Sequence, residues 1–220
     1  LLLDPIRVAF YAVYRKNESA AWGNKMDDIT RHSTSRISRL KVPEAHELDA
    51  DIAGIYAQNE RQHGYVENWL QSLALNPATL KRSMAFFESM FNPANSTIAA
   101  SEREMIAVVV SADNGCTYCE AHHTKGLATE LKDSLKARRI ALGWDHVPDL
   151  SLREQGIAEM AIKVTRQPKA VNDQDMQKLR DLGLRDEEIL EVIETAAFFN
   201  FTNRLAISLG NVPEDALFDL

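Results

Sequence analysis

The stretch "SEREMIAVVVSADNGCTYCEAHH", Ser101 to His123, decides how the chain is read. Its first half carries a run of apolar residues from Met105 to Val110. That run suits a buried strand or a buried helix equally by length. Ser101 with Glu104 three residues later reads as a capping box, which favours a helix. "ADNG" then supplies a stop and a restart, with Gly115 able to take positive φ and Asp113 or Asn114 able to cap a second helix. That helix is expected from about Cys116 to Glu130, folded back on the first as a hairpin.

Outward from this hairpin the same helical logic continues. A turn at Pro43 precedes a helix from about Asp49 to Gln62. "NPATLKRSMAFFESMF" has Asn76 as cap and Pro77 at the first helical position. "SLREQGIAEMAIKVTRQP" has Ser151 as cap, Glu154 three later and Pro168 as stop. "NDQDMQKLRDLGL" and "RDEEILEVIETAAFFNFTNRLAISLG" complete an all-α expectation, with strand signals nearly absent. The opening residues read as a short amphipathic helix capped by Asp4, followed by a serine-rich polar arm. The expected organisation is therefore residues 1–38 as N-terminal helix and arm, and 39–220 as the helical domain. At an offset of 84 residues the hairpin echoes itself, Glu104 falling on Glu188, Cys116 on Asn200 and Cys119 on Asn203. A duplicated helical hairpin is one expectation this raises.

Composition narrows the function classes. The 220 residues carry a net charge of −7, which argues against a phosphate-backbone partner. The basic group Lys136, Arg138 and Arg139 reads as a solvated helix end. No segment resembles a membrane span or a cleavable leader. Two cysteines three apart cannot staple a secreted chain of this length, so a cytoplasmic location with redox or metal chemistry is expected.

The chemistry concentrates in the hairpin. Residues three apart on a helix are neighbours, so the Cys116 and Cys119 sulfurs can meet, and a helix start favours the thiolate. His123 lies one turn beyond Cys119 on the same face. Folding the hairpin brings Glu104 opposite residues 123–125, so carboxylate, imidazole and thiol can form a chain for proton transfer. Zinc is the alternative: Cys116, Cys119 and His122 or His123 give three ligands where a closed site needs four. No metal or cofactor is expected. His122 reads as a surface or interface residue, and His32, His46, His63 and His146 have no spacing that links them to the motif. Asn200, Asn203 and Arg204 suit a pocket or a structural polar network. Phe198, Phe199 and Phe201 suit core or interface.

Glu104, Cys116-Thr117-Tyr118-Cys119 and His123, with the flanks "SRISRLKVPE", "LSLREQGIAEMAIKVT" and "FFNFTNRLAISLG", resemble the alkylhydroperoxidase D family. That group lies within the carboxymuconolactone decarboxylase-like superfamily, and the flanks are similar to its peroxidase-related branch. The resemblance covers roughly residues 35 to 215. It implies an all-α homo-oligomer that reduces hydroperoxides through a Cys-x-x-Cys disulfide cycle, with a thiol or dithiol as electron donor. It also implies Cys119 as the attacking thiol, Cys116 as its resolving partner, and His123 with Glu104 as the proton relay. The best-known members carry a histidine just before the second cysteine, where this chain has Tyr118, so the relay here is shorter. Two other readings stay open: a non-redox lyase or hydrolase using His123 and Glu104 alone, and a helical scaffold with buried, unreactive thiols.

Overall fold

In a computed structural model of the protein, residues 37–218 are described. The expected N-terminal helix and nearly all of the polar arm lie outside the described residues. The described chain is helical, with nine α-helices, short 3₁₀ turns and no strand. They are α1 (Ala50–His63), α2 (Asn68–Leu73), α3 (Pro77–Phe91), α4 (Ala100–Asn114) and α5 (Thr117–Leu131). Four more complete the set: α6 (Ser134–Gly143), α7 (Leu152–Arg166), α8 (Asp173–Asp181) and α9 (Asp186–Leu209).

Local chemistry sets most of these boundaries. Asp49 accepts from the Ile52 N–H and starts α1. The Asn76 side chain accepts from the Ala78 and Thr79 N–H groups, with Pro77 at the first position of α3. Ser151 and Glu154 form a reciprocal capping box on α7.

One expected cap is displaced. Helix α4 begins at Ala100, and it is the Glu102 carboxylate that reaches back to the Ala99 N–H, at 3.0 Å. Ser101 therefore lies inside the first turn. The displacement comes from how the chain enters α4: Glu191 on α9 binds the Thr97 N–H at 2.6 Å and the Ile98 N–H at 3.2 Å. Those bonds fix the chain's approach to α4. Glu104 is thereby free of any capping duty.

Helix α4 is the axis of the main core. Met105 through Ser111 are all buried, because α4 packs against α5, α6, α7 and α9 on different sides. A helix covered all round has no polar face to reveal its period, which is why its sequence read ambiguously. Arg153 on α7 clamps this bundle by bonding Glu102 of α4 at 2.7 Å and Glu188 of α9 at 2.8 Å. A smaller cluster of Ile52, Leu70, Leu73, Ala74 and Leu80 joins α1, α2 and α3.

The duplication is not present as a hairpin. The echoing segment lies wholly in α9, which runs unbroken from Asp186 to Leu209. The first copy reverses at Gly115, whose φ is +69°. The second has Phe199 at that place, a residue for which the left-handed region is strained.

Candidate active site

The α4–α5 turn builds the site. After Gly115, Cys116 is the cap residue of α5 and its N–H bonds back to the Ser111 carbonyl at 2.9 Å. Cys116 thus sits one residue before the helix rather than in its first turn, and Cys119 lies within it. Both are free thiols, 1% and 6% exposed. They pack with Tyr118, Ala206 and Trp69 in a small cluster of their own.

The two thiols act on each other's ionisation. Cys119 pulls the Cys116 thiol down to about 7, against the opposing effect of burial, and the charge of His123 adds to the lowering. Cys116 in turn, with burial and its negative charge, pushes Cys119 well above the ordinary thiol value. Two thiols in contact ionise in two steps that belong to the pair. The pair therefore gives up one proton near neutrality and holds the other.

The expected carboxylate–imidazole pair is in place. His123 Nδ1 lies 2.8 Å from Glu104 Oε2 across the hairpin. The bond fixes the ring and leaves Nε2 as the nitrogen not engaged by Glu104. Phe199 packs edge-on to the ring with centroids 4.6 Å apart. The approach depends on Gly126: a Cβ there would fall 2.7–2.8 Å from the Glu104 carboxyl atoms. The lone glycine inside the α5 pattern is the signal that could have found this residue, since glycine there costs about 1 kcal/mol relative to alanine.

His122, expected at the surface or an interface, is largely covered and paired with a carboxylate on this chain. Its Nε2 lies 2.6 Å from Glu214 Oε2. The other Glu214 oxygen accepts from the Asn68 N–H at 2.5 Å and from the Tyr118 hydroxyl at 3.3 Å. Burial raises the Glu214 carboxyl, but hydrogen bonds from His122 and Asn68 more than offset it and hold it below the usual carboxylate range. Burial, with the charges of Glu67 and Glu214, pushes the Tyr118 phenol well up, so it stays neutral.

Behind the thiols, Asn203 is fully buried. It donates to Ser111 Oγ at 3.0 Å and accepts from Asn114 Nδ2 at 2.9 Å. Its amide also acts to lower the Cys119 thiol, against the larger effects that raise it. Asn200 accepts from Asn114 at 3.1 Å and from Arg204 at 2.8 Å. The asparagines thus form a polar network that seats the dithiol.

A cavity of about 470 Å³ opens onto these groups. Its lining brings Cys119, Tyr118, His122 and His123 together with Phe87, Phe198 and Phe199. His63, unlinked by spacing, also reaches the cavity wall. Phe198 and Phe199 serve both core and cavity, while Phe201 is exposed. Among the described residues, no group of three or more His, Cys, Asp or Glu side chains is arranged to hold a metal ion.

A helical hairpin with Cys-x-x-Cys at its turn and a Glu–His pair across it defines a class that comparison with known proteins identifies. The chain belongs to the carboxymuconolactone decarboxylase/alkylhydroperoxidase D-like family. Residues 77–132 match the carboxymuconolactone decarboxylase family. A solved structure described as an alkylhydroperoxidase AhpD core, an uncharacterized peroxidase-related protein from Ralstonia eutropha JMP134, is 31% identical with a TM-score of 0.79. The match covers 84% of this chain and 96% of that one. An uncharacterized peroxidase-related protein from Silicibacter sp. TM1040 is 28% identical, with a TM-score of 0.77 over 82% of this chain and 94% of that one. The uncharacterized protein YdfG of Bacillus subtilis (strain 168) is 26% identical over 117 residues, 53% of this chain and 78% of its own.

Proposed function

We propose that this protein is a thiol-dependent peroxidase that reduces hydroperoxides through a Cys116–Cys119 dithiol/disulfide cycle. The observation that carries the reading is the placement of Cys119, which lines the cavity beside an imidazole held by Glu104. Of the two sulfurs, Cys119 reaches the cavity wall, so it is the one that meets substrate. The low first ionisation of the pair supplies the thiolate.

The cycle begins when the Cys119 sulfur attacks the terminal oxygen of a hydroperoxide. An S–O bond forms, and the O–O bond breaks with both electrons leaving on the alkoxide. His123 Nε2 takes the proton released by the pair, and Glu104 orients and charge-balances the ring. Cys116 then attacks the Cys119 sulfenic acid, an S–S bond forms, and hydroxide leaves to become water. An external thiol or dithiol returns two electrons and two protons to the disulfide. A cavity of this volume, walled by phenylalanines, suits an organic hydroperoxide.

A proton-transfer lyase would need the Glu–His pair but not a paired dithiol at the cavity, so the redox reading is preferred. Self-association is part of the proposal: Leu142, Leu152 and Leu190 are large apolar side chains left exposed on the single chain. No described helix is long and apolar enough to cross a membrane.

The test is the loss of free thiols against time after stoichiometric cumene hydroperoxide is added to reduced protein. Rapid loss of both thiols in the wild type, with strong slowing in Cys119→Ser, supports the reading. Thiols that stay intact for many minutes overturn it.

A further inference from the structure

Two imidazoles line the cavity, each bonded to a carboxylate, and the peroxidase cycle uses one of these pairs. The second, His122–Glu214, joins residues 92 apart in sequence. Part of its work is structural, because the Asn68 side chain also holds the Val212 carbonyl at 2.9 Å and ties the C-terminal segment to α2. A latch alone, however, needs only the Asn68 contacts. It does not need an imidazole and a phenol that both face the cavity lined by Cys119.

The chemistry has a matching requirement. Attack on a hydroperoxide expels an alkoxide, which is far too basic to leave without a proton at neutral pH. His123 is poorly placed to serve both ends of the O–O bond, since Glu104 fixes Nδ1 and Phe199 packs its ring. Adjacent residues on a helix diverge by about 100°, so His122 and His123 approach the cavity from different directions.

We propose that His122, held by Glu214, is the acid that protonates the oxygen leaving from the hydroperoxide, while His123 with Glu104 serves the thiols. The proposal rests on the peroxidase reading. Glu214 is ionised and only accepts, so His122 Nε2 carries a hydrogen toward it. In the imidazolium form the second N–H, at Nδ1, is the proton transferred. The alkoxide becomes an alcohol, the ring becomes neutral, and solvent returns the proton. Glu214 is a positioning residue, and Tyr118 supports it from the other side.

The experiment compares reduced wild type, His122→Gln and Glu214→Gln with two oxidants, tert-butyl hydroperoxide and peracetic acid. The first has a leaving group that requires a proton, and the second releases acetate, which does not. Iodoacetamide alkylation of the same proteins reports the thiolate independently. The expected result is roughly a hundredfold slowing with tert-butyl hydroperoxide in both variants, with peracetic acid and iodoacetamide rates little changed. A purely structural role would slow all three reagents together, and that outcome overturns the proposal. So does a His122→Gln protein as fast as wild type with tert-butyl hydroperoxide. Should Glu214→Gln fail to fold, His122→Gln decides alone, because its ring lies at the cavity rather than in the core. Wild type inert to both oxidants would remove the peroxidase reading itself, a result distinct from either of these.

Discussion

The Glu104 carboxylate reaches His123 Nδ1 at 2.8 Å by lying over Gly126, where no side chain intervenes. Three residues from two helices thus meet at one point, with the glycine supplying space and the carboxylate holding the imidazole. The relation links a sequence feature that weakens a helix to the geometry that makes the site.

Gly126→Ala is expected to displace the Glu104 carboxyl while leaving the fold intact. Alanine favours the helix by about 1 kcal/mol, so the melting temperature should change little. Hydroperoxide-driven thiol loss should slow by roughly tenfold to a hundredfold, part of the range for a lost acid–base group. Thermal melts beside stopped-flow thiol assays check both halves.

Thiol reactivity should rise as pH increases through about 7, the value to which Cys116 is pulled by Cys119. Cys119→Ala removes that neighbour, so the midpoint should move up toward the free-cysteine value of ~8.5. Iodoacetamide alkylation rates across pH 5 to pH 10, roughly the span of these ionisations, measure the shift.

Asn203→Leu should harm stability and site together. It leaves Ser111 Oγ without the buried amide that donates to it, and Asn114 with Asn200 as its remaining amide partner. Each stranded polar group costs about 1–3 kcal/mol, so chemical denaturation should show a lower midpoint, and Cys119 should alkylate at an altered rate.

Glu188 gives the bundle an acid-sensitive clamp. The Arg185 N–H, with Arg153 and the Arg185 side chain, holds its carboxyl at about 2, below the ordinary 4.5. A depressed carboxyl contributes stability above the unfolded value and loses it as pH falls through the folded one. The contribution should therefore fade between pH 4.5 and about 2. Glu188→Ala, which leaves Arg153 bonded only to Glu102 among its carboxylate partners, should cost about 1–3 kcal/mol at neutral pH. Its melting temperature should converge with that of the wild type in acid.

The features legible in the sequence were local ones. Asn76 with Pro77, Ser151 with Glu154, and Gly115 act within four residues, so the helices α3 and α7 and the hairpin turn could be read directly. The Glu104–His123 pair was legible because hairpin register is set by the turn. The Ser101 cap failed because Glu191, distant in the chain, fixes residues 97 and 98. Glu214 was invisible for a similar reason: its partners His122 and Tyr118 lie 92 and 96 residues away, and no periodicity encodes such a meeting.

The central claim is that Cys119 takes oxygen from a hydroperoxide and Cys116 resolves it. Intact-mass measurement after one equivalent of cumene hydroperoxide tests this most directly. The account predicts that wild type loses two hydrogen atoms, and that Cys116→Ser instead gains one oxygen atom, trapped as a sulfenic acid on Cys119. An unchanged mass in wild type, or an oxygen gained in Cys119→Ser at the rate seen in Cys116→Ser, would contradict it.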